Sequence, residues 1–151
     1  MSNRSNRARW LLTGAGFVMA TGMWVIEGQQ QKQNPNFTGG TVTAVEEKPQ
    51  GNIAHFRFEP GARTKWHIHE GGQLILVEEG VGLEQEKGGP VIELHAGESI
   101  YCPPGVPHWH GAAPGKGGTQ YNISRGGIQW LEEVTEKEFT APTKRLQIPG
   151  R

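Results

Sequence analysis

Six clusters of turn-forming residues cut the chain beyond residue 40 into short pieces, and this spacing constrains the fold more than any other feature. They are "KPQGN" (48–52), "EPGA" (59–62), "EKGGP" (86–90), "HAGE" (95–98), "PPGVP" (103–107) and "APGKGG" (113–118). Glycine and proline in such groups reverse the chain and end regular structure. Between them lie runs rich in β-branched and aromatic residues: "TVTAV" (41–45), "IAHFRF" (53–58), "QLILV" (73–77), "VIEL" (91–94), "SIYC" (99–102) and "YNIS" (121–124). Short strands with this punctuation predict an all-β sandwich or barrel. The chain has 151 residues, 23 of them glycine and 10 proline, which suits one domain of ordinary size. A single helix is expected near the end, where Thr135 and Glu138 in "TEKEF" have the spacing of a capping box.

The N-terminal end has a different character. Arg4, Arg7 and Arg9 precede the uncharged run "WLLTGAGFVMATGMWVI" (10–26), and the polar "EGQQQKQNPN" follows. Positive charge, apolar stretch and polar exit are the layout of a secretory signal. The apolar run is 17 residues, short for a bilayer span, which takes about 20. Residues 1–26 therefore read as a signal peptide, with an uncleaved membrane anchor (residues 10–26) or a soluble helix as alternatives. Residues 27–36 read as a polar linker, 37–140 as the β domain and 141–151 as a C-terminal tail. Export puts the domain in the periplasm or outside the cell; anchoring holds it at the inner membrane, outside the cytoplasm.

Composition narrows the chemistry. Fifteen acidic residues, all glutamate, balance fifteen basic ones, and no basic run occurs beyond the first nine residues. Nucleic-acid binding therefore has no electrostatic support. Cys102 is the sole cysteine, so neither an internal disulfide nor a cysteine-built zinc site can form. Any metal must be held by histidine and oxygen.

Histidines at the right spacing exist. In "GARTKWHIHEGGQLILVEEG" (61–80), His67 and His69 stand two residues apart, so on a strand they project from one face, about 6–7 Å apart. Gly71 and Gly72 allow a tight reversal that returns Gln73 beside them, its amide oxygen available as a ligand. In "GESIYCPPGVPHWHGA" (97–112), a turn, a strand and a proline-glycine turn lead to His108. The candidate metal set is His67, His69, Gln73 and His108.

These two stretches resemble the paired motifs of the cupins. Gly61, His67, His69, Gln73 and Gly80 fit G-x5-H-x-H-x3-E-x6-G with glutamine for the usual glutamate; Gly97, Pro103, Gly105 and His108 fit G-x5-P-x-G-x2-H-x3-N with Ala112 for the asparagine. The likeness extends over about residues 36–139. It is nearest to small single-domain bacterial cupins that include the manganese-dependent (R)-mandelonitrile lyases, whose site is likewise three histidines and a glutamine. The resemblance implies a jelly-roll-like, double-stranded β-helix barrel with a metal inside, a small-molecule substrate and, commonly, a homodimer or higher homo-oligomer. It favours Mn2+, with Fe2+ second; affinity does not decide, since the same ligands also suit Ni2+, Cu2+ or Zn2+.

Glutamine is a neutral ligand, so it leaves a divalent cation its full charge and a stronger Lewis acidity. His110, two residues past His108, is expected to face the same cavity as general base, hydrogen-bond donor to a ligand, or alternative ligand. Where the resembled lyases carry a histidine near the metal, this chain has Gln120, which takes up no proton near neutral pH; either His110 is the base or the substrate differs. Lys65 shares strand parity with His67 and is a third candidate catalytic residue. His55 and His95 read as structural or solvated, Cys102 as a small buried group, and Trp130 as packing the C-terminal segment onto the barrel. Three functions fit: a metal-dependent lyase acting on cyanohydrins or related hydroxy compounds, an oxygen-dependent enzyme of the quercetin-dioxygenase type, and a non-enzymatic metal- or small-molecule-binding cupin.

Overall fold

A computed structural model describes residues 34–45 and 51–147. The expected signal or anchor and most of the linker lie outside the described residues. Strands dominate, arranged as two sheets that share one long strand. The first sheet holds β1 (Phe37–Thr38), β4 (Arg63–Thr64), β5 (His67–His69), β7 (Val91–His95), β9 (His108–Ala112), β11 (Ile128–Trp130) and β12 (Thr143–Arg145). The second holds β2 (Val42–Ala44), β3 (Ile53–Phe58), β8 (Ser99–Cys102) and β10 (Gly118–Ser124).

Strand β6 (Gln73–Glu86) belongs to both. Its residues 73–80 pair with β8 and β10, whereas 81–86 pair with β7 and β9. The exchange occurs at Gly80, where φ is +81° and a Cβ would stand 2.0 Å from the Gly117 carbonyl oxygen. Only glycine fits that corner, which explains the last glycine of the first motif. The sequence expectation of a strand over 73–77 is correct but short. Glu78, Glu79, Gly80, Gly82, Glu84 and Glu86 mask the continuation, because they read as polar loop until the two sheets claim them.

Alternation along the strands separates two apolar regions. Phe58, Ala62 and Ala112 pack with Phe37, Val42 and Phe56. Trp66, Leu83, Val91 and Trp109 point the other way and are covered by Val134 and Phe139. The cover is the helical turn α1 (Glu136–Phe139), whose Thr135 and Glu138 form the expected capping box, worth about 1 kcal/mol. Buried Arg63 holds it down: its guanidinium donates to the Gly61 and Val134 carbonyls and the Glu136 carboxylate, and lies 4.1 Å from the centre of the Phe139 ring. Beyond α1, the expected tail is partly built into the sheet. β12 runs parallel to β7, and Arg145 donates to both oxygens of Glu98 at 2.8 and 3.1 Å.

Candidate metal centre

The first sheet and the start of β6 deliver the histidines and Gln73 to one place. In β5, His67 and His69 turn inward while Ile68 between them is only half-buried. His108 on β9 is paired directly opposite His67. The reversal before β6 depends on Gly72, at φ +80° with Tyr101 Oη 2.5 Å from where a Cβ would stand. As a result, one nitrogen each from His67, His69 and His108 lies within 4.8 Å of the others. Gln73 Oε1 is 2.9 Å from His108 Nε2 and 3.5 Å from His67 Nε2.

Hydrogen bonds behind the cluster decide which atoms face inward. His67 Nδ1 donates to the Lys65 carbonyl at 2.9 Å, and His108 Nδ1 to the Val106 carbonyl at 3.0 Å. Both Nε2 atoms therefore carry lone pairs toward the centre. The Gln73 amide nitrogen donates to Ser124 Oγ at 2.9 Å, which turns the amide oxygen toward the same point. His69 Nδ1 is buried and meets no described hydrogen-bond partner. Lone pairs facing one another without a proton between them repel; a cation placed among them reverses the sign. The donor set therefore fits a divalent metal ion.

Electrostatics agree. Burial, reinforced by the neighbouring His108, pushes the His67 pKa from 6.5 down to about 3 and that of His69 down to about 4. Burial lowers His108 as well. Neutral imidazoles at neutral pH are the form that binds metal.

His110, the second inward residue of β9, is outside the clustered ligand nitrogens and is held by a different partner. Gln120 Nε2 donates to the Gly111 carbonyl at 2.7 Å, which presents Gln120 Oε1 to His110 Nδ1 at 3.0 Å. His110 is thereby fixed as the Nδ1–H tautomer with its lone pair on Nε2. Burial first, then the adjacent His67 and His108, hold its pKa well below 6.5. Gln120 itself does not line the cavity, so it acts through His110. Room for its amide comes from Gly82, where a Cβ would approach Gln120 Nε2 to 2.9 Å.

Lys65, the third candidate catalytic residue, lies apart from the cavity. It sits between β4 and β5, its ammonium lies 3.5 Å from the Glu133 carboxylate, and it does not line the cavity. Its contribution is the carbonyl that orients His67. Trp130 lies on a strand that pairs with β5, and its ring stands 5.0 Å from that of His67 as a cavity wall. His55 is held by Glu78 at 2.8 Å and stacks on Tyr121; His95 pairs with Glu93 at 2.7 Å.

Beside the cluster opens a cavity of about 180 Å³. Its apolar wall is Phe37, Phe56, Ile128 and Trp130; His67, His69, Gln73, His110, Asn122 and Ser124 supply polar atoms. Sequence reasoning missed Asn122 and Ser124. Their two-residue spacing from Gln120 put them on its face of β10, and that parity was the available signal.

A β-barrel with three inward histidines converging beside a neutral amide defines a barrel protein with a candidate metal site. The chain belongs to the cupin family: the Cupin domain profile matches residues 54–121. It is 42% identical over 90 residues to a protein named (R)-mandelonitrile lyase from Granulicella tundricola, covering 57% of this chain and 69% of that one. A crystal structure of a cupin-like protein from Thermotoga maritima MSB8 is 41% identical, with a TM-score of 0.56 over 68% of this chain and 84% of the other. The polyketide cyclase RemF of Streptomyces resistomycificus shares the fold, with 23% identity and a TM-score of 0.52 over 72% of this chain and 80% of the cyclase.

Proposed function

We propose that this chain is a metal-dependent lyase that cleaves or forms cyanohydrins or related hydroxy compounds. His67, His69, Gln73 and His108 would hold the divalent cation, manganese first and iron second. When bound, a cation left uncompensated by neutral Gln73 supplies Lewis acidity that acidifies a hydroxyl and favours a departing anion. The observation that carries the reading is a fixed lone pair on His110 beside four converging ligand atoms. Identity to the Granulicella lyase supports it.

The protein's own residues account for the proton. His110 Nε2 accepts the hydroxyl proton, the electrons of the carbon–carbon bond leave with cyanide, and His110 returns the proton to give hydrogen cyanide and a carbonyl compound. A base with so low a pKa is weak, so it serves only a hydroxyl that has already been acidified. Gln120 cannot take up the proton; its part is to keep His110 in the one tautomer that can. The aromatic wall excludes water and seats the organic part of the substrate.

The test is ultraviolet detection of benzaldehyde from mandelonitrile, using metal-free protein and protein reconstituted with manganese or iron. Metal-dependent release is expected, equal in air and under anaerobic conditions, and reduced about a hundredfold or more in His110→Ala with metal content retained. A metal-containing protein that releases no aldehyde overturns the reading. Oxygen uptake with phenolic substrates would then assign the site to oxygen chemistry.

A further inference from the structure

Three side chains of β10 stand on one face at two-residue intervals: Gln120, Asn122 and Ser124. The outer two are engaged within the protein. Gln120 holds His110, and Ser124 Oγ accepts from Gln73 and lies 3.5 Å from His69 Nε2. Asn122, between them, is 2% exposed. Its Nδ2 donates to the Gln120 backbone carbonyl at 3.4 Å. Its Oδ1 is buried and accepts from no described group, yet the residue lines the cavity together with His67, His69 and His110.

A buried carbonyl without a donor is costly, and native proteins seldom keep one. Here its neighbours on both sides are satisfied, and the residue borders the cavity beside the histidine cluster. The rest of the apolar lining, Phe56 on the neighbouring strand and Phe37, Ile128 and Trp130 on the other sheet, offers no donor that reaches it. A ligand that enters the cavity can supply the donor. The space, about 180 Å³, suits a single ring with a small substituent, since an apolar cavity of about 150 Å³ takes up benzene.

We infer that Asn122 is a specificity-determining residue: its Oδ1 receives the hydroxyl or N–H donor of a compact, ring-sized ligand, and the site rejects ligands of the same shape that lack the donor. The inference rests on this cavity being the substrate site, and not on which bond is broken there. A site whose buried acceptor is left unpaired weakens the analogue by about ten- to a hundredfold.

The experiment is an NMR titration of the 15N-labelled full chain, metal-loaded and metal-free, with phenol and with fluorobenzene, which is close in size and has no donor. Wild type is expected to bind phenol at least about tenfold more tightly in both forms and to shift the Asn122 side-chain amide signals. Asn122→Leu, of the same branched heavy-atom shape and without an acceptor, is expected to bring the two affinities within about threefold, with metal content unchanged and Tm not lowered. A phenol preference that survives in Asn122→Leu, one that appears only in the metal-loaded chain, or no phenol binding by wild type overturns the inference. Mandelonitrile turnover is measured separately. Its absence alongside an intact, Asn122-dependent preference counts against the lyase reading alone.

Discussion

Glu84 sits in the second half of β6, opposite His110 in the pairing register, with 1% of its surface exposed. Among the described residues no cation pairs with it; its carboxylate oxygen meets the Cys102 thiol at 3.5 Å. Burial raises its pKa from 4.5 to about 7. The unfolded chain therefore releases this proton while the folded protein still holds it, and stability falls as pH rises from 4.5 through 7. The difference, 7 − 4.5, at about 1.4 kcal/mol per pH unit, amounts to about 3 kcal/mol by pH 8. Glutamine has the same shape and no proton to release, so Glu84→Gln recovers that amount at pH 8 and almost none at pH 4. For a domain of this size the gain corresponds to roughly 10 °C in Tm. The assay is urea unfolding of chelator-treated wild type and Glu84→Gln at pH 4, 6 and 8. Any packing difference between amide and carboxyl is constant with pH, and the histidine contributions are common to both proteins, so the pH-dependent part belongs to Glu84. A stability difference that stays the same from pH 4 to pH 8 would refute the assignment of a neutral carboxyl.

Three further outcomes are expected. His108→Ala removes one of the converging nitrogens and lowers metal affinity by more than the ten- to hundredfold typical of losing an outer partner, as read by metal analysis after dialysis; full occupancy would contradict the ligand set. Acid destabilises the metal-free protein in the opposite direction to Glu84: the unfolded chain protonates its imidazoles below 6.5 while folded His69 and His67 resist until about 4 and about 3, so stability drops as pH falls across that interval, which unfolding midpoints between pH 3 and 7 will show. Gly82→Ala forces Gln120 Nε2 and Val77 Cγ2 aside, from 2.9 and 2.7 Å, and should cost about 1–3 kcal/mol of stability together with a roughly tenfold loss of kcat at unchanged metal content.

The strands that bury one face were legible because their alternation and their turns are local properties. "IAHFRF" and "SIYC" coincide with β3 and β8, and the capping box over α1 is a local signal too. The convergence of His67 and His69 was legible because spacing of two on a strand is a geometric statement. What stayed hidden depends on partners distant in sequence. β1, β4 and β12 are two or three residues long and exist because a neighbouring strand offers hydrogen bonds. The second half of β6 is polar in composition and becomes a strand only where the sheets exchange. Parity along a strand says where the Lys65 side chain starts and not that Glu133 meets its end. Nothing local to Trp130 reveals that its strand lies beside His67.

The bent strand β6 also governs when the site can come into being. Gln73 reaches His108 across 35 residues of chain and Ser124 across 51, and the carbonyls behind His67 and His108 come from separate loops. Contacts that distant are assembled late, after the entropy of closing the intervening loops has been overcome. The partly folded chain therefore offers a metal at most the His67–His69 pair, a weak and unselective grip. Capture of an ion by this site would follow barrel closure rather than guide it, and its uptake during refolding would be a clock for the moment the two sheets meet.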